Sequence, residues 1–282
     1  LLFRRQGVNV PLSAPEPGVS QWDARDERGN PVPDGSWELV GVGEDSAGNR
    51  SEVSGGSVVI DRRVPQGFLT ASAQAISPNN DGISDGLDFS ATVVPEDGLS
   101  SWQFSLLDQG GAVVFTQEGS ELPAGTLELA WPASVRADGI YQPTLALAWE
   151  KGDRLVLETS PVRVDSSAPE LSVEAGPLPF GPDGDGRADL LTIGISVEDA
   201  SDIAGWRLEI VDRNGRFFRD FAGRGRPPAS LEWNGRAADG ELVLSAEDYR
   251  YELTVADELG NRTAVSGRIP IDILVIRDGD QL

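Results

Sequence analysis

Two loops of the sequence carry the residue types that bind a hard cation. Each reads Asn/Asp-x-Asp-Gly-x-x-Asp, so three oxygen-bearing side chains fall within seven residues, and the Gly permits the sharp turn that lets them converge. The spacing is not that of an EF-hand, whose Gly falls later in the loop. The pattern predicts calcium at both loops. The candidate ligands are Asn79, Asp81, Asp85, Asp183, Asp185 and Asp189.

The two loops also allow an interpretation without metal. Three side chains cannot complete the six to eight oxygens around calcium, so backbone carbonyls, water or a nearby acid such as Asp165 or Asp199 would have to contribute. Alternatively, each loop is an Asx-rich turn whose side chains accept its own backbone N–H groups. Both interpretations explain the same residues, and the sequence leaves them open.

The residue inventory removes most catalytic chemistry. The 282 residues contain no His, Cys or Met, which excludes disulfides, thiolate or imidazole metal sites, Cys nucleophiles and His-based triads. Carboxylate pairs such as Glu198 with Asp199, or Asp81 with Asp85, are expected by number alone among 46 acids. A small β-module offers no deep pocket that would tune such a pair for glycoside hydrolysis. We therefore expect that the chain is not an enzyme.

Charge and hydropathy restrict the partners. The net charge is −23, from 23 Lys and Arg against 46 Asp and Glu, so we expect no binding to nucleic acid. No apolar run approaches the roughly 18 residues of a membrane helix, and the nearest, 269–276, contains Pro270 and Asp272. We expect no membrane insertion. The missing Met indicates an internal fragment, with any signal peptide or anchor outside it.

An internal repeat organises the chain. Trp22, Trp131 and Trp233 recur at spacings of 109 and 102 residues, and the two acidic loops recur with an offset of 104. Each Trp leads through an Asp-Gly pair and a strand to a closing Asp. We expect these three Trp side chains to pin the core, with each indole N–H finding a backbone acceptor, rather than to form sugar-binding platforms.

The local patterns predict strands throughout. Residues 87–93, 191–197 and 206–211 alternate between apolar and polar, as half-buried strands do. Turn residues at 108–111 and 212–215 indicate hairpins. About seven short strands in roughly 100 residues are typical of an immunoglobulin-like sandwich. The predicted fold class is all-β, as tandem Ig-like antiparallel β-sandwiches arranged as beads in line.

Short linkers in which Pro stops a strand mark the predicted boundaries. Residues 1–65 form a partial Ig-like domain, because only 21 residues precede its Trp. Residues 66–168 form a full Ig-like domain, and residues 169–282 form another with a C-terminal exit strand. Calcium at the acidic loops is expected to stiffen the joins between these domains.

Three segments resemble known bacterial proteins. Trp-Asn-Gly-Arg at 233–236, Asp-Gly at 239–240 and Tyr-x-Tyr at 249–251 resemble the Ig-like domain of flagellar hook-capping proteins. The loop 77–85 is similar to the loop that opens Ig-like sorting and repeat domains of large surface proteins. The tail 269–282 resembles the exit from a last Ig-like repeat into an OmpA-type peptidoglycan-binding domain.

These resemblances imply a place in the cell envelope, on the periplasmic or the extracellular side. The implied partners are other envelope or surface components, with peptidoglycan reached through a domain outside the fragment. A sandwich hosts unrelated functions, so alternatives stay open. The chain is predicted to be a structural spacer or scaffold; the alternatives are an adhesion or ligand-binding array and the accessory domains of a secreted hydrolase. A binding array should expose an apolar patch of several hundred Å², and a spacer should not.

Overall fold

The structure is a computed structural model that describes residues 1–11, 13–16, 19–122, 125–243 and 247–273. Strands and their connections make up these ranges, and the all-β prediction is confirmed. In the part of the chain that is described, no helix has the length and apolar character needed to cross a membrane.

The first module is built around one four-stranded antiparallel sheet. Its strands are β1 (Leu2–Arg5), β2 (Val8–Pro11), β3 (Ser13–Glu16), β4 (Val19–Gln21), β5 (Gly35–Glu44) and β6 (Arg50–Ile60). The sheet has the order β2-β1-β5-β6, while β3 and β4 pair separately. Its fully buried core consists of Val10, Val32 and Trp37. This core is far smaller than those of the other modules, and β6 is exposed along its length except at Ile60.

The second module is a sandwich of two sheets. Its strands are β7 (Gln66–Ala71), β8 (Ala75–Ile76), β9 (Asp88–Val94), β10 (Leu99–Leu107), β11 (Val113–Gly119), β12 (Thr126–Ala130), β13 (Gly139–Trp149), β14 (Arg154–Glu158) and β15 (Val162–Val164). One sheet has the order β11-β10-β13-β15-β8, with β14 also paired to β13, and the other has the order β12-β9-β7. The pairing is antiparallel except between β15 and β8, which run parallel.

The third module repeats this arrangement. Its strands are β16 (Glu170–Gly176), β17 (Leu191–Glu198), β18 (Ile203–Val211), β19 (Phe217–Arg224), β20 (Ser230–Trp233), β21 (Asp248–Asp257) and β22 (Arg262–Pro270). The sheets are β16-β17-β20 and β19-β18-β21-β22. A parallel bridge between Phe180 and Ile271 takes the place of the β8–β15 pair. The predicted C-terminal exit strand belongs to the tail 269–282: residues 269 and 270 end β22, Ile271 makes the parallel bridge, and residues 274–282 lie outside the described ranges.

Strict alternation of apolar and polar residues creates these sandwiches. In β17, Leu191, Ile193, Ile195 and Val197 are buried, while the residues between them face outward. The core of the second module draws on residues 69–164 and that of the third on 180–271, so the two cores share no residue. The predicted hairpins are confirmed, since β10 pairs with β11 and β18 with β19 across the turns.

The recurring Trp residues pin the edges of the cores as expected. The indole N–H of Trp131 donates to the carbonyl of Val135 at 2.8 Å, and that of Trp233 donates to the carbonyl of Arg236 at 2.9 Å. Half-buried Trp22 makes the matching bond in the first module. Trp131 and Trp233 bury their rings while the N–H is satisfied, which confirms the core-pin prediction for these two, whereas Trp22 packs only partly buried against the small first core.

Candidate functional site

The loop at residues 79–85 is closed by its own backbone. The Asp85 carboxylate accepts the N–H groups of Asn80 at 2.6 Å and Gly82 at 2.8 Å. Asp81 accepts the N–H of Ile83 at 2.8 Å. These are the Asx-type bonds that such residues form in turns without any ligand.

The loop at residues 183–189 repeats that closure. The Asp189 carboxylate accepts the N–H groups of Gly184 at 2.6 Å and Gly186 at 2.8 Å. In addition, one carboxylate oxygen from each predicted ligand lies within 4.8 Å of the others. These ligands are Asp183, Asp185 and Asp189. The loop therefore brings together the three side chains that the sequence singled out.

One substitution separates the two loops. Asn79 stands where the later loop has Asp183, and its amide nitrogen donates to Asp81 Oδ2 and to Asn261 Oδ1, each at 3.1 Å. An N–H donor thus lies against the Asp81 carboxylate, where a metal ligand would present oxygen. The Asx bonds account for both loops as turns, and calcium at either loop stays a prediction.

A buried polar network joins the second module to the third. At its centre is Asn261, which is 5% exposed. Its amide nitrogen donates to the backbone oxygen of Asp165 at 3.0 Å and to Asp257 Oδ2 at 2.8 Å, and its oxygen accepts the hydroxyl of Ser77 at 2.8 Å. Because buried polar groups are costly when unpaired, these bonds hold the two modules in one relative position.

Further contacts surround this network. The Ser201 hydroxyl donates to Asp165 Oδ2, and the Arg163 guanidinium donates to the carbonyl oxygen of Ala200 at 2.9 Å. Ile83 packs so closely on Gly260 that a Cβ there would lie 2.8 Å from Ile83 Cγ2. Gly260 also has a φ of +98°, so this position favours Gly for two reasons.

Three carboxylates converge at the same junction. One oxygen each from Asp165, Asp199 and Asp257 lies within 4.8 Å of the others, and Asp165 and Asp257 are both 2% exposed. At about 4 Å, two like charges near a protein surface repel by about 4 kcal/mol. Burial, followed by the charges of Asp165 and Asp257, raises the pKa of Asp199 above its ordinary value.

Sequence reasoning placed these acids only in part. It named Asp165 and Asp199 as additional ligands for the acidic loops, whereas the structure groups them with Asp257, and no carboxylate of the loop 79–85 joins that group. Asp257 was visible only as the first residue of an Asp-x-x-Gly-Asn turn. No signal in the sequence brings Asp257 to the linker after Asp165, because their contact depends on how one sandwich packs on the next.

The junction between the first and second modules has a different charge balance. Arg63 contacts Asp61 at 2.9 Å and Asp97 at 2.5 Å. Lys151 lies 3.6 Å from Asp61 and 3.0 Å from Asp153, and it also donates to the backbone oxygen of Arg63. The Arg63 guanidinium holds the pKa of Asp61 well below its usual range. At this junction, the side chains of Arg63 and Lys151 neutralise the charges of the neighbouring carboxylates.

Acid is expected to weaken this first junction. The pKa of Asp61 is lower in the folded protein than in the unfolded chain. The ion pair therefore stabilises the fold above about pH 4, and this contribution is lost as the pH falls below that value. Between pH 6 and pH 3, the Tm of the wild type should fall further than that of Asp61→Asn. Glu27→Gln, at an exposed acid, is the control and should follow the wild type; parallel curves for all three would contradict the prediction.

Comparison with known proteins finds only distant structural similarity. No protein-family model and no curated protein matches the chain. A structure of a 1.5-MDa bacterial ice-binding adhesin is 15% identical, with 97% of this chain and 86% of that chain covered and a TM-score of 0.44. Fibronectin(III)-like modules of Clostridium thermocellum CbhA are 15% identical, covering 76% and 100%, with a TM-score of 0.31. The FN1–FN3 domains of chicken CNTN1 are 10% identical, covering 86% and 78%, with a TM-score of 0.31. Likeness at this level concerns the fold alone.

Proposed function

We propose that the chain is a non-catalytic structural spacer in a bacterial cell-envelope or surface protein. The observation that carries the proposal is the buried network around Asn261, which joins two sandwiches directly instead of through a free linker. A junction of this kind fixes both the distance and the angle between modules. Fixed spacing is what a stalk or scaffold needs, whereas a flexible linker would leave both undefined.

The exposed apolar side chains do not single out one module as a binding module. Large apolar residues more than a third exposed occur in all three modules, for example Val59 in the first, Phe68 in the second and Phe217 in the third. Exposed apolar residues of this kind are normal on soluble proteins, and an adhesion face would need a contiguous patch of several hundred Å². Adhesion or ligand binding, and accessory domains of a secreted hydrolase, are the alternatives that the test below separates from a spacer.

The proposal extends to location and partners. The resemblance of the third module to hook-capping Ig-like domains, and of the tail to the entry of OmpA-type domains, supports a periplasmic or extracellular position in the envelope. The partners would be other envelope or surface components, with peptidoglycan bound through a domain outside these residues. The net charge of −23 disfavours nucleic acid as a partner.

Calcium at the acidic loops belongs to the same proposal. The loop 183–189 is the better candidate, because it gathers three carboxylates. In the loop 79–85, the Asn79 amide already donates to Asp81. Exposed sites of this kind bind calcium with a Kd of about 10⁻⁴–10⁻³ M. Any stiffening from them adds to the direct contacts at the junction.

If the modules act as a spacer, the function of the parent protein depends on their total length and rigidity and not on their amino-acid sequence. Deleting residues 66–273 in frame from the native gene should abolish the function of the parent protein in its host. Inserting two unrelated Ig-like modules of the same total length should restore it, because the replacement again provides rigid spacing. A flexible Gly/Ser segment of equal residue number is the control and should restore less. Rescue by the native modules alone would contradict the spacer and favour adhesion.

A further inference from the structure

We propose that Asp165, Asp199 and Asp257 bind a divalent cation, with calcium the favoured ion, and that this ion locks the second module onto the third. The three acids come from three separate elements: the linker after β15, the loop between β17 and β18, and the turn between β21 and β22. The inference goes beyond the spacer proposal and does not rest on it.

The first argument is an unsatisfied oxygen inside the cluster. Asp199 Oδ1 accepts the backbone N–H of Ser201 at 3.0 Å, but its Oδ2 is fully buried and has no hydrogen-bond partner within the described residues. Of the ion pairs found in the described ranges, none includes any of the three acids. Arg163 lines the same cavity as Asp165 and Asp199, but one of its NH groups donates to the Ala200 carbonyl, its Nε is buried without a partner in the described part of the chain, and it forms no ion pair there with the three acids. A proton on Asp199 would neutralise this oxygen alone, whereas a bound cation neutralises all three acids at once.

The second argument is that the preceding junction supplies the missing charge from the protein itself. Both junctions use the same three elements. In the first, the linker reads Asp61-Arg-Arg-Val-Pro65, and the turn 149–153 provides Lys151. In the second, the linker reads Asp165-Ser-Ser-Ala-Pro169, and the turn 257–261 provides a carboxylate. Ser167 stands at the linker position of Arg63 and Leu259 at the turn position of Lys151, so both cations are absent from the second junction. Asp257 adds a carboxylate at the turn position of Trp149, and the acidic linker residue is kept.

Turn geometry alone does not account for Asp257. The first module contains the same Asp-x-x-Gly-Asn turn, in which Asp45 accepts the N–H of Asn49 at 2.9 Å and its amide at 2.8 Å. Asp257 makes the matching bonds with Asn261 at 2.8 Å each. Asp45 is exposed, however, whereas Asp257 is 2% exposed beside two further acids. The hydrogen bonds of the turn require only the Asp257 carboxylate. They do not explain why Asp165 and Asp199 lie next to it.

The chemistry of the donors selects the ion. All three are carboxylates, which suit hard cations, and His and Cys are absent from the sequence. A cavity of about 680 Å³ is lined by Asp165, Asp199, Arg163 and Glu198, among others, so water can complete the coordination. Calcium accepts six to eight oxygens in irregular geometry, whereas magnesium demands a near-ideal octahedron. Three side chains from separate elements do not form a regular octahedron, so this site favours calcium over magnesium.

Calorimetric titration of the calcium-free chain tests the proposal. Adding CaCl₂ to the wild type should release heat, and Asp199→Asn should weaken this binding at least tenfold, because it removes a charge while keeping the shape. Asp185→Ala removes a ligand of the exposed loop 183–189 and should leave the junction site intact. Absence of calcium binding in the wild type, or binding unchanged in Asp199→Asn, would overturn the proposal. Loss of calcium binding in Asp185→Ala but not in Asp199→Asn would also overturn the proposal.

A gain-of-charge variant tests the same site without removing an acid. Ser167 is exposed and occupies the linker position of Arg63, so Ser167→Arg should place a guanidinium against Asp165. The wild type should show a higher Tm in millimolar calcium than in chelator. Ser167→Arg should have the higher Tm in chelator already, with little further rise on adding calcium. A calcium-induced rise as large as that of the wild type would contradict the assigned position of the ion.

Discussion

Replacing Trp233 with Ala is expected to lower the free energy of unfolding of the third module by about 3–5 kcal/mol. Trp233 is 2% exposed, and its ring centroid lies 5.4 Å from that of Phe180, 6.1 Å from Phe218 and 6.4 Å from Tyr249. The variant leaves a cavity among these aromatic rings. It also removes the hydrogen-bond donor to the carbonyl of Arg236, which adds to the loss.

Urea and thermal unfolding, followed by near-ultraviolet circular dichroism, measure this effect. Phe217→Ala is the matched control, since Phe217 is an aromatic residue of the same module that is 46% exposed. Its substitution should cost less than about 1 kcal/mol. Because the two modules share the buried junction, the transition of the second module should fall by less than that of the third in Trp233→Ala and stay unchanged in Phe217→Ala. A loss below about 1 kcal/mol for Trp233→Ala would mean that the indole does not hold this core together.

Replacing Asn261 with Ala is expected to cost about 2–3 kcal/mol and to uncouple the second module from the third. The variant loses the bonds to the Asp165 carbonyl and the Asp257 carboxylate, and it leaves the Ser77 hydroxyl without its acceptor. All of these groups are buried, so the penalty exceeds that of an ordinary surface hydrogen bond. In calorimetry, the transitions of the two modules should move apart.

Asn49→Ala is the control for this effect. Asn49 makes the same bonds within its turn, but it is exposed and contacts no other module in the described structure. Its loss should cost less than about 1 kcal/mol. Equal destabilisation by the two variants would assign the energy to the turn instead of the junction, and the rigid-spacer argument would lose its support.

Local patterns were sufficient to predict the strands and the core pins. The alternation in residues 191–197 could be read directly, because a strand places every second side chain on the same face. Trp131 and Trp233 could be placed, because a large ring with one N–H needs both burial and a nearby acceptor. The parallel pairing of β8 with β15 could not, since it depends on the path of the long connection between them.

The acidic cluster shows where sequence reasoning reached its limit. Asp165 and Asp257 are 92 residues apart, and their meeting depends on the angle at which one sandwich sits on the next. No periodicity encodes that angle. The acidic loops posed the opposite difficulty, because carboxylates that cap a turn and carboxylates that bind calcium have the same spacing. Only the contact of Asn79 with Asp81 distinguished the two loops.

Lys151 is the only lysine in the sequence, and it lies 24% exposed at the first junction. Besides the terminal amine, reagents that acylate amines therefore have a single target on this chain. Acylation abolishes the ammonium charge facing Asp61 and Asp153. Attachment to a surface through Lys151 would thus hold the chain at the junction between the first two modules and weaken that junction. Force measurements on the intact array therefore require attachment at its ends.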